Sequence, residues 1–536
     1  MLKATLVILN ANVRTLNLKQ PTTQAIAVYD DKIVAVGSNK EIQKHVGKRT
    51  QTVNANRKTV IPGLVDCHVH MTGFGQFLQT LDLRNVGSIG EIQKKLTEYS
   101  RKNPGKKWIL GGRLDNERLK EKHYPTRWDL DKAVQDRPVF LLRVCGHIGI
   151  ANTKALQLAG ITKKTAVESG KIDLDKKTGE PNGVLQENAL DLVWKAVPKP
   201  TLEDVEESCL LASMRAVEAG LTCVHWLVGS ANEMRALQKL QAERRLPLRA
   251  YLGIPVELLD ELASLGLMTG FGNDMLKLGF VKILADGSLG GHTAALKAPY
   301  SDKPETRGMM LYTTEKLNKM VLDTHKAGLQ LAIHAIGDRT AEAVLKAYEK
   351  AFKTQSRENH RHRIEHCSVL NPKLIRKMKQ LDLIASVQPH FVESDFWVTD
   401  RVGKMRACWV YAFKTLMREG VMVVSGSDCP VEPINPMLGI WAATSRKDFA
   451  EERLTVEEAL KTFTLNAAYA SFDEEKRGTI EVGKFADLTV LSDDLFNVPL
   501  DNIKKIRVET TIVNGKVVYA RTRSKLGKQV SEIPRS

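Results

Sequence analysis

Two hydrophobic periods alternate along the chain. Short apolar runs such as GLTCVHW, LQLAIHA and VMVVSGSD are separated by longer stretches whose apolar residues recur at helical spacing. That alternation predicts a parallel sheet flanked by helices. Eight runs qualify as its strands: TVIPGLVD, GLTCVHW, PLRAYLGI, LGFVKILAD, LQLAIHA, HRIEH, LIASVQPH and VMVVSGSD. Eight strands close a (β/α)8 barrel. The two ends of the chain read differently. ATLVILNANVRT, AIAVYDDKIVAVG with a turn at Asp30 and Asp31, and TQTVNANRKTVI are short strands. A like pattern returns in GKFADLTVLSDD and in TTIVNGKVVYA, which has an Asn514-Gly515 hairpin turn.

The expectation is an α/β fold with a TIM-like barrel over residues 59–477. Residues 1–58 plus 478–522 are expected to form a small β-sandwich domain built from both termini. From about 80 to 215 the repeat breaks, which predicts a large insertion after the first strand, placed as a lid or pocket wall. It holds a strand in PVFLLRVCG, the turn-rich KIDLDKKTGEPNG and a helix in SIGEIQKKLTEYSRK. Residues 523–536 read as a loose basic tail.

Composition changes this picture little. The chain has 536 residues, 43% hydrophobic and 26% charged, an ordinary globular balance large enough for one big domain with satellites. No apolar run reaches the roughly 18 residues of a membrane span, and MLKATLVILNANVRT alternates as a strand does, so a cytoplasmic location is expected. Lys plus Arg number 79 against 62 Asp plus Glu, a net charge of +17. The basic residues are interspersed with Glu, with modest clusters only at RENHRHR and the tail. A solvated basic surface is therefore expected, with no nucleic-acid partner. The seven cysteines, Cys67, Cys145, Cys209, Cys223, Cys367, Cys408 and Cys429, contain no CxxC pair and read as reduced core thiols.

The candidate chemistry lies where apolar runs end. His68 and His70 close TVIPGLVDCHVH, Lys282 sits in LGFVKILADGS, His334 in LQLAIHAIGD, His366 in RHRIEHCSV and Asp428 in VMVVSGSDCP. Barrels of this kind keep catalytic groups at the carboxyl ends of their strands. Residues 68 and 70 are two apart on a strand and share a face. Imidazoles with a carboxylate suit zinc, or alternatively manganese, iron or nickel. A lysine in an apolar strand beside cations must be neutral or modified, unless its stem is buried and its head reaches solvent. A neutral amine can take up carbon dioxide to give a carbamate that bridges two metal ions.

The whole pattern resembles the amidohydrolase superfamily. PGLVDCHVH, GHIGIANTKAL, GVLQENA, VKILADGSLGGHTAAL, IHAIGDRTAEAVL, HRIEH, VQPHF and GSDCPVEPINPM resemble the branch that includes N-substituted formamide deformylases and the YtcJ-like hydrolases. The resemblance implies one ion held by His68, His70 and Asp428 and a second by His334 and His366. Carboxylated Lys282 would bridge them, giving two zinc ions per chain. It further implies hydrolysis of a C–N bond of a small N-acyl or N-formyl compound, with Asp428 taking the proton of the attacking water and returning it to the leaving nitrogen. The rival readings are a cyclic amide or ester hydrolase with the same centre, and a non-catalytic scaffold. A homodimer and a small-molecule substrate are the expected associations, and a membrane partner is not expected.

Other positions bear on substrate. Gly291 and His292 stand where the family usually has a small residue and an arginine, and Cys429 follows Asp428 where alanine is more usual. His147 matches a motif facing the active site, and His147, His292 and Gln388 are candidate substrate-binding residues. His225 and His390 are either mouth-lining or structural. His45, His123, His325, His360 and His362 are expected at the surface. ADGSLGG lacks the GK[ST] ending of a phosphate loop, which excludes that form of nucleotide binding.

Overall fold

A computed structural model describes residues 2–143, 147–168 and 170–521. Cys145 and the basic tail at 523–536 lie outside the described residues. The chain divides into two compact units, residues 2–74 with 209–521, and Gly75–Ser208.

In the first unit eight parallel strands run in chain order: β1 (Leu64–Val69), β2 (Leu221–Leu227), β3 (Arg249–Pro255), β4 (Leu276–Leu284), β5 (Gln330–Ala335), β6 (Arg363–His366), β7 (Ile384–Val387) and β8 (Met422–Ser425). Past the end of β8 the chain returns to β1. Asp428 N–H donates to His68 O at 2.7 Å and His70 N–H to Cys429 O at 2.8 Å. The ring of strands is thus drawn together beside the residues that carry the candidate chemistry. Inward positions alternate as the pleat requires, so Phe280, Tyr251 and Ala332 fill the interior.

Two further sheets belong to this unit. One has the order Lys32–Gly37, Ala25–Tyr29, Leu6–Leu9, Gln51–Asn54. The other joins both ends of the chain in the order Lys516–Ala520, Val508–Val513, Leu488–Leu491, Thr59–Pro62, Asn12–Arg14, Thr22–Thr23. Leu6, Ile8, Ile26 and Val28 from the first pack with Val13, Val60, Leu488 and Ile512 from the second in one apolar core, a small sandwich. Asn514 and Gly515 both have positive φ, 53° and 69°, as a two-residue hairpin turn demands.

The first barrel strand differs from the sequence expectation. TVIPGLVD is two strands: Thr59–Pro62 pairs antiparallel with Leu488–Leu491, and the barrel strand begins only at Leu64. Gly63 N–H still donates to Asp487 O at 2.8 Å, and the chain then leaves this ladder. Gly63 makes the crossing, where a Cβ would stand 2.2 Å from Thr222 Oγ1.

The second unit has its own six-stranded sheet, in the order Gly170–Leu174, Pro181–Glu187, Ile148–Ala151, Val139–Arg143, Ile109–Leu114, Leu81–Asp82. KIDLDKKTGEPNG is a hairpin whose turn is held by Asp175, which accepts from Lys177 N–H and Thr178 N–H. The helix Ile89–Lys102 lays Ile89, Ile92 and Leu96 into this unit's core.

Three histidines expected at the surface are buried. His325 and His362 are fully enclosed and His360 nearly so, stacked against Phe352 and Tyr348. Their protons are placed by their partners. Leu331 N–H donates to His362 Nδ1, so His362 Nε2–H donates to His325 Nδ1 at 2.9 Å, and His325 Nε2–H to Gln355 O. The last four residues of RENHRHR are likewise interior: Arg361 pairs with Glu474 and Arg363 with Glu365. Burial pushes the His360 imidazole down to about 4 from an ordinary 6.5 and His362 well below its usual value. A histidine depressed on folding gives stability that is complete above 6.5 and declines as pH falls toward the folded value, because the unfolded chain then binds more protons. The urea midpoint of the wild type should therefore drop more steeply between pH 6.5 and about 4 than that of His360→Gln. Parallel profiles would refute this account.

Candidate metal centre

β1 places Asp66 and His68 on its inner face, with His70 just beyond the strand on the same side. His68 Nε2 lies 3.4 Å, and His70 Nε2 3.3 Å, from Asp428 Oδ1. Ligand atoms of these three residues all fall within 4.8 Å of one another. Bonds of about 2.0–2.1 Å in a tetrahedral site put neighbouring donors about 3.3 Å apart. The set therefore fits one divalent ion. Burial pushes the Asp428 carboxyl up, but His68 and His70 outweigh it and hold the group below its ordinary value, as an anion.

Lys282, the seventh residue of β4, is buried with Nζ 3.5 Å from His68 Nε2. Burial pushes its ammonium down to about 8, with Glu365 and Asp428 pulling the other way. The His366 ring lies 4.8 Å from that of His68 and 4.3 Å from that of His334, between centroids. His68 and His366 are both driven well below the usual imidazole value, first by burial. The structure thus gathers five basic side chains and one carboxylate at the mouth of the barrel, at the ends of β1, β4, β5, β6 and β8.

Backbone strain aims two of them. His366 has φ 72° and Asp428 φ 58°, both left-handed in residues other than glycine. Along a strand Glu365 and His366 would face opposite ways. The left-handed turn at His366 brings both to the same centre. Such conformations cost about 1–3 kcal/mol each and cluster at functional sites.

A supporting layer lies beneath, and sequence reasoning missed most of it. His68 Nδ1–H donates to Glu365 Oε2, leaving Nε2 as the bare lone pair a metal needs. Glu365 is clamped by Arg363, Nε to Oε1 at 2.8 Å and Nη2 to Oε2 at 3.0 Å. Although burial pushes Glu365 up, Arg363 and Lys282 hold it below its ordinary value. Asp66 accepts from the N–H of His68 and of Ser427, tying β1 to the turn after β8; burial raises its carboxyl to about 6. Asp286 lies 3.3 Å from His334 Nε2 and accepts from Ala295, Ile336 and Gly337 N–H. The only signal for Glu365 was its polarity inside the apolar run HRIEH, two residues after an arginine.

The remaining candidates are placed as follows. Gln388 Oε1 accepts from His366 Nδ1 at 2.7 Å, which orients that ring, and Gln388 Nε2 is buried with no hydrogen-bond partner among the described residues. His292 Nε2 is 3.2 Å from Asp302, which also binds Arg401, so a guanidinium from another element stands beside the position where the family's arginine is missing. His147 lies in the second unit, exposed and 3.0 Å from Glu187. His225 is inside the barrel, its Nδ1 accepting from Arg363 at 2.7 Å. His390 Nδ1–H donates to Glu432 at 2.5 Å. The Cys429 side chain is buried, as are those of Cys67, Cys209, Cys223 and Cys367, and Cys408 is exposed.

Carboxylates that hold a ligating imidazole typically govern metal affinity by about 10–100-fold. Glu365→Gln should weaken zinc binding by about that factor in competition with a chromophoric chelator. Unchanged affinity would show that Glu365 serves stability alone.

The chain resembles known proteins over nearly its whole length. The chain is 35% identical to YtcJ of Bacillus subtilis over 517 residues, covering 93% of this chain and 96% of that protein. It is 27% identical to N-substituted formamide deformylase of Arthrobacter pascens, covering 97% and 99%. A crystal structure of a metal-dependent hydrolase from Pyrococcus furiosus superposes with a TM-score of 0.79 at 29% identity, covering 92% of this chain and all of that one. Residues 51–519 match the Amidohydrolase family, and the chain belongs to that family, in the branch of YtcJ and N-substituted formamide deformylase.

Proposed function

We propose that this hydrolase cleaves a C–N bond of a small amide or formamide, with Asp428 as general base and then general acid. The observation that carries the reading is the position of Asp428, ionised and 3.3–3.4 Å from two imidazole nitrogens. A divalent ion held there by His68, His70 and Asp428 would acidify water and polarise the substrate carbonyl. In this reading Asp428, with one oxygen toward the histidines, accepts a proton from the attacking water and delivers it to the departing nitrogen. C–O forms and C–N breaks, while one O–H bond of the water is exchanged for an N–H bond on the leaving nitrogen through the carboxylate.

Lys282 completes the proposal. Its lowered affinity for protons leaves a neutral fraction near pH 8, able to add to carbon dioxide with loss of a proton. The resulting carbamate would join His334 and His366 to the first three ligands and bring the count to two ions, zinc being the choice the imidazole and carboxylate set favours. The substrate is small, the protein acts in the cytoplasm, and neither nucleic acid nor membrane takes part. No helix among the described residues is long and apolar enough to cross a membrane.

Elemental analysis of protein grown with zinc and purified in bicarbonate should give two ions per chain, falling on Lys282→Ala. One ion per chain would favour a single-metal enzyme with unmodified Lys282. On a panel of formamides, N-acyl compounds, cyclic amides and esters, Asp428→Asn should lose about 100-fold or more of kcat. A fully active Asp428→Asn would overturn the assigned role, and preference for ring substrates or esters would move the bond type.

A further inference from the structure

The face of the barrel opposite the metal centre carries a concavity that the proposed reaction does not use. It is a cavity of about 530 Å3 lined by, among others, Thr269, Asn273, Asp274, Lys277, Arg357 and Lys476. Lys277 stands near the start of β4 and Lys282 five residues further along it. At about 3.3 Å per residue the two are about 16 Å apart along the strand. The cavity and the metal centre are separate places on one barrel.

Its charges do not balance. Lys277 pairs with Asp473 at 2.5 Å, which also binds Arg477, and Lys476 pairs with Asp274 at 2.6 Å. Nearby, Arg361 has Glu474 and Arg249 has Asp487. Arg357 differs from all of these. Nη1 donates to Leu329 O and Nη2 to Gly328 O, each at 3.0 Å, and no carboxylate pairs with it among the described residues. A guanidinium has five N–H donors, so three remain, on a half-buried cation facing an open cavity. Burial disfavours its charge, and no carboxylate offsets that cost. Where every neighbouring cation has been given an anion by the fold, the one left over faces space of the size that small ligands occupy.

We propose that this cavity binds a small oxyanion, the carboxylate or phosphate group of a small molecule, through the Arg357 guanidinium. Arg357 supplies the planar fork that matches either group. Asn273 lies in the lining with its Oδ1 already accepting from Met275 and Leu276 N–H. Asp274, also in the lining, is paired with Lys476.

The test uses the metal-loaded full chain, titrated in separate arms with inorganic phosphate and with succinate, up to about 10 mM, and followed by calorimetry and hydrogen exchange. Saturable binding of at least one anion is expected, with slowed exchange in residues 269–277 and 471–476. The arm that binds tells phosphate from carboxylate. Arg357→Gln should weaken binding about tenfold or more, the worth of a charge-assisted hydrogen-bond pair. Asn273→Asp should do the same while keeping its acceptor for residues 275 and 276, and covers the case in which loss of Arg357 unfolds the protein. Absence of binding in both arms, equal binding in both variants, or protection confined to the metal residues at 66–70, 334–337 and 366 would overturn the proposal. Hydrolysis at the metal centre is measured separately, and its failure would not imitate any of these results.

Discussion

The buried guanidinium of Arg363 is the constraint on which the barrel interior rests. It is wholly enclosed, and removing such an ion from water costs several kcal/mol even after relaxation. The interior compensates by surrounding it with acceptors on its own strand and on three others. Glu365 takes two of its N–H bonds, Cys67 O and Ser386 Oγ two more, and His225 Nδ1 another. Those partners belong to β1, β2, β6 and β7. Satisfying one arginine therefore fixes the mutual positions of half the barrel strands.

The same arrangement reaches the chemistry through Glu365. Arg363 holds that carboxylate in place with two N–H bonds, and His68 Nδ1–H donates to the same Oε2. The tautomer of His68 follows, with Nε2 turned toward Asp428 and Lys282. The Lys282 amine is pushed toward neutrality by burial and pulled back toward charge by Glu365 and Asp428. His68 and Lys282 are thus both influenced by one ion pair, Arg363 with Glu365, that is distant from them in sequence.

Backbone strain does what side-chain alternation cannot. A strand offers every second residue to the interior, yet β6 must deliver Arg363, Glu365 and His366 to one side. The left-handed turn at His366 supplies the missing rotation, and Asp428 uses the same device after β8. Its N–H bond to His68 O, together with Asp66 accepting from Ser427, holds that turn against relaxation. The strain is local, and the barrel closure that opposes it is not.

Periodicity alone determined the class of fold and the row of candidate ligands, because alternation of strand and helix and the position of a polar residue at the end of an apolar run are local properties. It also made the terminal strands and the Asn514-Gly515 turn legible. What tertiary structure decided is where charge is tolerated inside. His325, His360, His362, Arg361 and Arg363 look like a solvated basic patch in RENHRHR and its surroundings, and they are buried because Gln355, Glu474, Glu365 and Cys67, some of them hundreds of residues away, supply their hydrogen bonds. The division of TVIPGLVD between two sheets was hidden for the same reason: hydrogen-bond partners choose a strand's sheet, and Leu488–Leu491 lies at the far end of the chain. A sequence shows which groups are polar, and only the fold shows which of them have been given a partner in place of water.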